Sequence, residues 1–176
     1  MMIGRPINGL LGLISAFGFI YINWTAGHYA SVLDQIVFIT FIDIPLILTW
    51  KTWGHRIENG VKFMTVKGWF IAIALMLIAW WPMMQVYAHL GDTNPLWDSI
   101  TLIIGATASL LVFKGYGDSY SLWLLSNIVT IVLWATAFAQ GYSASALPML
   151  LTIIFYLATA LYGKYFSVWK RANKKA

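Results

Sequence analysis

The 176-residue chain is 60% hydrophobic and only 10% charged, too little charge to cover a water-facing surface of this size, so a soluble globular domain is excluded and a bilayer is the fitting solvent. The net charge of +5 comes from lysines and arginines in loops and tails, with no basic-aromatic patch of the kind that grips nucleic acid. Cysteine is absent, which removes disulfides and thiol chemistry.

A transmembrane helix takes roughly 20 mostly apolar residues. Six segments meet that length: about 7–26, 32–50, 68–89, 96–113, 120–139 and 146–169. The stretches between them, such as Gly27-His28-Tyr29 and Gly91-Asp92-Thr93-Asn94-Pro95, have turn compositions and are too short to form a domain. The expected fold is all-α, a polytopic membrane protein with one transmembrane domain over residues 1–176.

The first segment has the outline of a signal peptide, Arg5 followed by an apolar run, but Gly12, Ser15 and Asn23 interrupt it and favour a retained helix. Its polar face carries Asn8, Gly12, Ser15 and Asn23. In the second segment Asp43 lies between Ile42 and Ile44. A carboxylate at the bilayer centre costs about 2.5–3.5 kcal/mol on insertion scales, so it faces a cavity or a partner; the bland alternative is a protonated Asp43 bonded to a neighbouring helix. Gln35 lies two turns earlier, about 80° away around the helix. The third segment has no polar stripe, and its Trp69, Trp80 and Trp81 fit an interfacial belt.

Asp98, Thr101, Gly105 and Ser109 share one side of the fourth segment, and Thr152, Tyr156, Thr159 and Gly163 one side of the sixth. Tyr120, Trp123, Asn127, Thr130 and Trp134 recur along one face of the fifth. Small and hydroxylated residues in such stripes glue helices together. Rings and an amide do not permit close backbone approach, and that face suits a cavity for a flat, polar ligand. Asp34, Asp98 and Asp118 fall near helix starts, where free amides favour an acid. His28, His55 and His89 are loop residues without metal-ligand spacing, so no metal site is expected. No G-x-x-x-x-G-K-S/T loop or hydrolase constellation is present, so neither an ATPase nor another enzyme is expected, and no cofactor.

The bases all fall on one side if both termini are cytoplasmic: Arg5, then Lys51, Arg56, Lys62 and Lys67, then Lys114, then Lys164 and the tail at 170–176. Residues 8–53 and 120–166 repeat one order of features, a polar-striped helix, a short turn and a second helix. They lie in parallel with the 68–89 helix between them.

The run Tyr-Ser-Leu-Trp-Leu-Leu-Ser-Asn at 120–127 resembles the W-x-x-W-x-x-x-N motif of the Pnu family of bacterial vitamin transporters, with Tyr120 in place of the first tryptophan. Pro-Leu-Trp-Asp-Ser-Ile-Thr at 95–101 and Leu-Tyr-Gly before the basic tail resemble the family too, and the likeness spans nearly the whole chain. The resemblance implies facilitated diffusion of a vitamin, foremost nicotinamide riboside, across the bacterial cytoplasmic membrane. Net uptake would be drawn by a cytosolic vitamin kinase. Thiamine or riboflavin transport within the family, a vitamin-binding subunit of an energy-coupling-factor transporter and an inactive relic are the alternatives. The implied plan is 3+1+3. This chain shows 2+1+3: an incomplete bundle at 7–50, a linker helix at 68–89 and a full bundle at 96–169. The first helix is absent before Met1, either because Met1-Met2 is internal to a longer gene or because the protein is short. The implied substrate residues are Trp123, Asn127, Tyr120, Asp98 and Thr101, with Ser15 where the family tends to have asparagine and Asp43 where glutamine is expected. Gln35 and Tyr156 join them from their helix faces. Assembly as a homo-oligomer is left open.

Overall fold

The computed structural model describes residues 7–52, 61–141 and 146–166. Arg5, Trp53, His55, Arg56, Glu58, the last residues of the sixth span and the tail at 170–176 lie outside the described residues. The described ones form six helices, each long and apolar enough to cross a membrane: α1 (Ile7–Thr25), α2 (Tyr29–Leu48), α3 (Val66–His89), α4 (Pro95–Phe113), α5 (Ser119–Gln140) and α6 (Ala146–Phe166). Each expected span is present. The largest departure is at α2, which starts at Tyr29 instead of Val32. Gly27, at φ +75°, turns the chain so sharply after α1 that only Ala26, Gly27 and His28 separate the two helices.

Inside α2, residues Ile39–Asp43 form a π-helical turn, followed one residue later by Pro45. Proline has no N–H to donate to the carbonyl one turn back, and its ring crowds that carbonyl. A widened turn relieves the clash and acts as a one-residue insertion. This rotates Asp43 relative to the first half of the helix, so the separation of about 80° from Gln35 expected for a regular helix closes to about 20°. Both residues then share one wall.

Helix α4 is the hub. It packs against α2, α3 and α5, and 56% of its membrane window is buried, whereas none of the α3 window is. Phe70, Ile78 and Leu77 of α3 are outward-facing and exposed, the pattern of a helix whose solvent is lipid. On the basic side, residues 61–64 are stitched to the α4–α5 turn. The Lys62 amide donates to the Gly115 carbonyl at 3.0 Å, and the Gly117 amide to the Lys62 carbonyl at 2.9 Å. Asp118, expected to cap its own helix, instead accepts from the Met64 amide at 2.6 Å and makes no side-chain cap on α5.

Helices α1 and α2 meet at a glycine. A Cβ on Gly9 would come within 2.8 Å of both the Asp43 carbonyl oxygen and Leu46 Cβ. Backbone cannot yield there as a flexible side chain would, and overpacking of this kind costs about 1–3 kcal/mol. Gly9→Val is therefore expected to lower the thermal midpoint of the detergent-purified protein, read by intrinsic tryptophan fluorescence. An unchanged midpoint would show that the two backbones do not meet at this point.

Candidate functional site

A cavity of about 300 Å³ opens between α1 and α2 on one side and α4, α5 and α6 on the other, at the lower end of the size range for small-molecule sites. Helix α3, which has no polar stripe, contributes nothing to its lining. The α5 stripe supplies one wall, and Tyr120, Trp123, Asn127, Thr130 and Trp134 all reach the cavity. Facing it, α2 presents Ser31, Asp34, Gln35, Phe38 and Asp43. Helix α1 adds Gly12, Ser15, Phe19 and Asn23, and α6 adds Tyr156 and Thr159. Only Thr101 comes from α4.

Glycines make room for the bulky polar groups. Asp43 (6% exposed) sits against Gly12 of α1, where a Cβ would lie 2.8 Å from its carboxylate carbon. Asp34 sits in the same way against Gly105 of α4, at 3.1 Å, and the Tyr120 ring lies against Gly163 of α6. Read from sequence alone, these glycines belong to helix glue. In the fold they are notches that let a carboxylate or a ring lie between two backbones.

The rings are held edge to face. Phe38 meets Trp123 at 5.0 Å between centroids, and Phe19 meets Tyr156 at 6.0 Å. Such contacts restrict the ring planes without covering both faces, and Trp123 remains on the cavity wall. The Ser15 hydroxyl is already spent within α1, donating to the Gly12 carbonyl at 2.9 Å.

Eight of the nine expected site residues line this cavity: Trp123, Asn127, Tyr120, Asp43, Gln35, Thr101, Ser15 and Tyr156. Asp98 does not. It is wholly buried behind the wall, where its Oδ2 lies 2.7 Å from His28 Nδ1 and its Oδ1 accepts from the Ser31 hydroxyl at 2.8 Å. Conversely Asn23, Asp34, Ser31 and Trp134 line the cavity although none was singled out as a substrate ligand. Trp134 and Asn23 stood in polar stripes and were available by periodicity. Asp34 was set aside as a helix-start acid because α2 was expected to begin three residues later.

His28 is likewise no ordinary loop residue. It is fully buried, edge-on to Trp134 at 4.7 Å, and joined to Asp98. The Thr93 hydroxyl lies 3.2 Å from the same imidazole nitrogen. Asp92 caps two chains at once, accepting from the Tyr29 amide at 3.0 Å and the Asn94 amide at 2.9 Å. Burial first, then the neighbouring Asp98 carboxylate, raise the Asp92 carboxyl above the usual range. His28, Asp92 and Asp98 each bring a ligand-type atom within 4.8 Å of the others, although they come from three separate segments with no metal-site spacing. Every carboxylate oxygen of the trio already has a partner within the chain. The cluster therefore acts as a clamp that ties the α1–α2 and α3–α4 turns to α4.

Comparison with known proteins agrees with this geometry. Residues 1–171 match the family model described as nicotinamide mononucleotide transporter. The nicotinamide riboside transporter PnuC of Neisseria mucosa is 28% identical over 166 residues, which cover 91% of this chain and 63% of that protein. PnuC of Haemophilus influenzae is 27% identical over 168 residues, covering 92% and 70%. This chain thus spans under two thirds of the length of the first relative. A crystal structure of the vitamin B3 transporter PnuC superposes with a TM-score of 0.78 at 26% identity, covering 98% of this chain and 74% of that one. With six apolar spans, five of them around a ringed, amide-bearing cavity, and a family match over nearly its whole length, the chain belongs to the nicotinamide mononucleotide transporter family, a family of membrane transporters and not of enzymes.

Proposed function

We propose that the protein carries nicotinamide riboside across the bacterial cytoplasmic membrane by facilitated diffusion, with the cavity as its binding site. One observation carries this reading. The lining combines Trp123, Asn127 and two carboxylates, Asp34 and Asp43, and among the described residues contains no lysine, arginine or histidine. Nicotinamide riboside is a cationic aromatic ring with a carboxamide and ribose hydroxyls, which suits such a lining. The mononucleotide of the family's name adds a phosphate. That phosphate would give up its hydration in a cavity whose described lining offers it no base, and burying an uncompensated charge is costly. The charge pattern therefore favours the riboside, the compound named for the relatives.

In this reading Trp123 stacks on the pyridinium ring, with Tyr120 beside it, and Asn127 exchanges hydrogen bonds with the carboxamide or ribose. Gln35, Thr101 and Tyr156 complete the polar lining, and Asp43 supplies a counter-charge. The two-helix group α1–α2, the single helix α3 and the three-helix group α4–α6 make up a 2+1+3 unit. Its support is that the cavity lies between the two groups while α3 stays outside it. Both termini lie in the cytoplasm, a reading supported by the gathering of Lys51, Lys62, Lys67 and Lys114 at one end of the helices. A cytosolic kinase that phosphorylates the imported vitamin would make uptake unidirectional, because the described lining offers the product's phosphate no base.

Three outcomes test this. Trp123→Ala should weaken saturable uptake of labelled nicotinamide riboside by roughly thirtyfold, the equivalent of a desolvated cation–π contact of about 2 kcal/mol. Unchanged uptake would remove Trp123 from the site. Asp43→Asn should impair the cationic vitamins, nicotinamide riboside and thiamine, more than neutral riboflavin in a competition assay; equal loss would assign Asp43 to structure. Because the chain lacks cysteine, single cysteines can report topology. Leu90→Cys should react with an impermeant maleimide added outside intact cells and Lys51→Cys only after lysis, and the reverse would invert the topology.

A further inference from the structure

Three carboxylates gather toward the His28 end of the helices, and two of them are fully engaged. Asp98 is matched by His28 and Ser31, and Asp92 by the Tyr29 and Asn94 amides. Asp34 differs from both. It lines the cavity, is only 9% exposed, and its Oδ1 has no hydrogen-bond partner. A second lining acceptor is in the same condition. Asn23 is 1% exposed and donates through Nδ2 to the Phe19 carbonyl at 2.8 Å, which leaves its Oδ1 without a partner. The Phe19 carbonyl can only accept, so the amide orientation follows from the bond. Buried acceptors are nearly always satisfied, and two unsatisfied ones on the wall of one cavity point to a ligand that brings donors and positive charge.

The charged surroundings sharpen the point. From α4, Asp98 acts on Asp34 with its own negative charge. From α3, the Tyr87 hydroxyl lies within electrostatic reach of Asp34, Asp92 and Asp98. From α5 and α6, the cavity receives Tyr120 and Tyr156, and from α1 the neutral Asn23. Along α2 itself stand Ser31, Gln35 and, at the far end, Asp43. The nearby imidazole, His28, is held by Asp98. No cation is assigned to Asp34 by its neighbours.

We propose that Asp34 is the residue at which the cavity reads the charge of its ligand, and that a proton and a cationic permeant compete for it. The inference rests on the riboside reading above and adds a residue and a linkage to it. With the cavity empty, the carboxyl keeps its proton, because a bare carboxylate beside Asp98 has nothing to offset it. When a cation enters, the proton leaves to water and the carboxylate takes the cation as its counter-ion. The sign follows from the exchange: acidification stabilises the proton-bound form, so affinity for a cation falls as pH falls. A neutral ligand of the same shape displaces no proton, and its affinity stays level. The linkage would slow capture of a cationic vitamin from acidic surroundings without any coupling to a proton gradient.

The test uses the purified full chain in detergent and two probes. One is nicotinamide riboside. The other is its reduced dihydropyridine form, nearly identical in shape and without the ring charge. Binding of both is measured by calorimetry from about pH 8 down to about pH 5, for the wild type, Asp34→Asn and Asp43→Asn. The riboside should weaken on acidification, by up to about tenfold per pH unit, while the reduced form stays constant. Asp34→Asn should reduce this slope to the part that Asp43 contributes and weaken the riboside by about tenfold or more at the alkaline end, while leaving the reduced form within about twofold. Retained binding of the reduced form shows that the variant's cavity is folded. A slope unchanged in Asp34→Asn, or one that vanishes in Asp43→Asn alone, overturns the assignment to Asp34. Riboside affinity that is level with pH in the wild type overturns the competition while sparing the transport reading. Failure of the wild type to bind either probe at any pH overturns both.

Discussion

Asp34, Asp43 and Asp98 all lie within apolar helices and are almost withdrawn from solvent, and the cost of keeping a carboxylate there is the constraint that shapes the rest of the chain. On insertion scales that cost is about 2.5–3.5 kcal/mol for each, before any partner is counted. The fold meets it in two ways. Asp98 is paired with His28 and bonded by Ser31. Asp34 and Asp43 instead receive space, each lying in a glycine notch on a neighbouring helix and fronting the cavity. This difference separates the acid that ties helix ends together from the two that front the cavity.

The two polar systems share helices without merging. At the His28 end, donors from the α1–α2 turn, the α3–α4 turn and the first turns of α2 and α4 converge on Asp92 and Asp98. A turn of three residues between two helices has little freedom, and a buried carboxylate with both oxygens hydrogen-bonded, as in Asp98, specifies one arrangement of those ends. Ser31 faces both systems, donating to Asp98 while contributing to the cavity lining. The clamp therefore sets the position of the first half of α2, and with it Asp34 and Gln35. The second half is positioned by a different device, the π-helical turn ahead of Pro45, which brings Asp43 round to the same wall.

This division bears on what a transporter of this kind needs. A ligand site inside the bilayer must be polar enough to replace hydration, yet each polar group adds to the cost of keeping the site open. Here the polarity is concentrated on faces set against one another, from α2 and α5, while α3 and the outer faces of the remaining helices stay apolar toward lipid. The rings of Trp123, Phe38, Phe19 and Tyr156 fill the remaining perimeter in edge-to-face pairs, so the cavity keeps its shape without a continuous hydrogen-bond network.

Composition and periodicity determined a good deal about this protein by themselves. Six spans and the α5 stripe from Tyr120 to Trp134 follow from local rules, because the bilayer demands long apolar helices and a helix face repeats every three to four residues. Asp43 was legible for the same reason: a lone carboxylate in an apolar run has few places to go. What only the tertiary structure decided are relations between segments distant in sequence. Asp98 turned away from the cavity because His28, seventy residues earlier, reaches it first. Asp34 turned toward the cavity because Gly105 leaves room beside it. Gln35 and Asp43 shared a wall only after a proline-driven π turn changed the phase of α2. Local pattern assigns a residue to a face; which helix meets that face, and with what group, is set by packing between helices that the pattern does not encode.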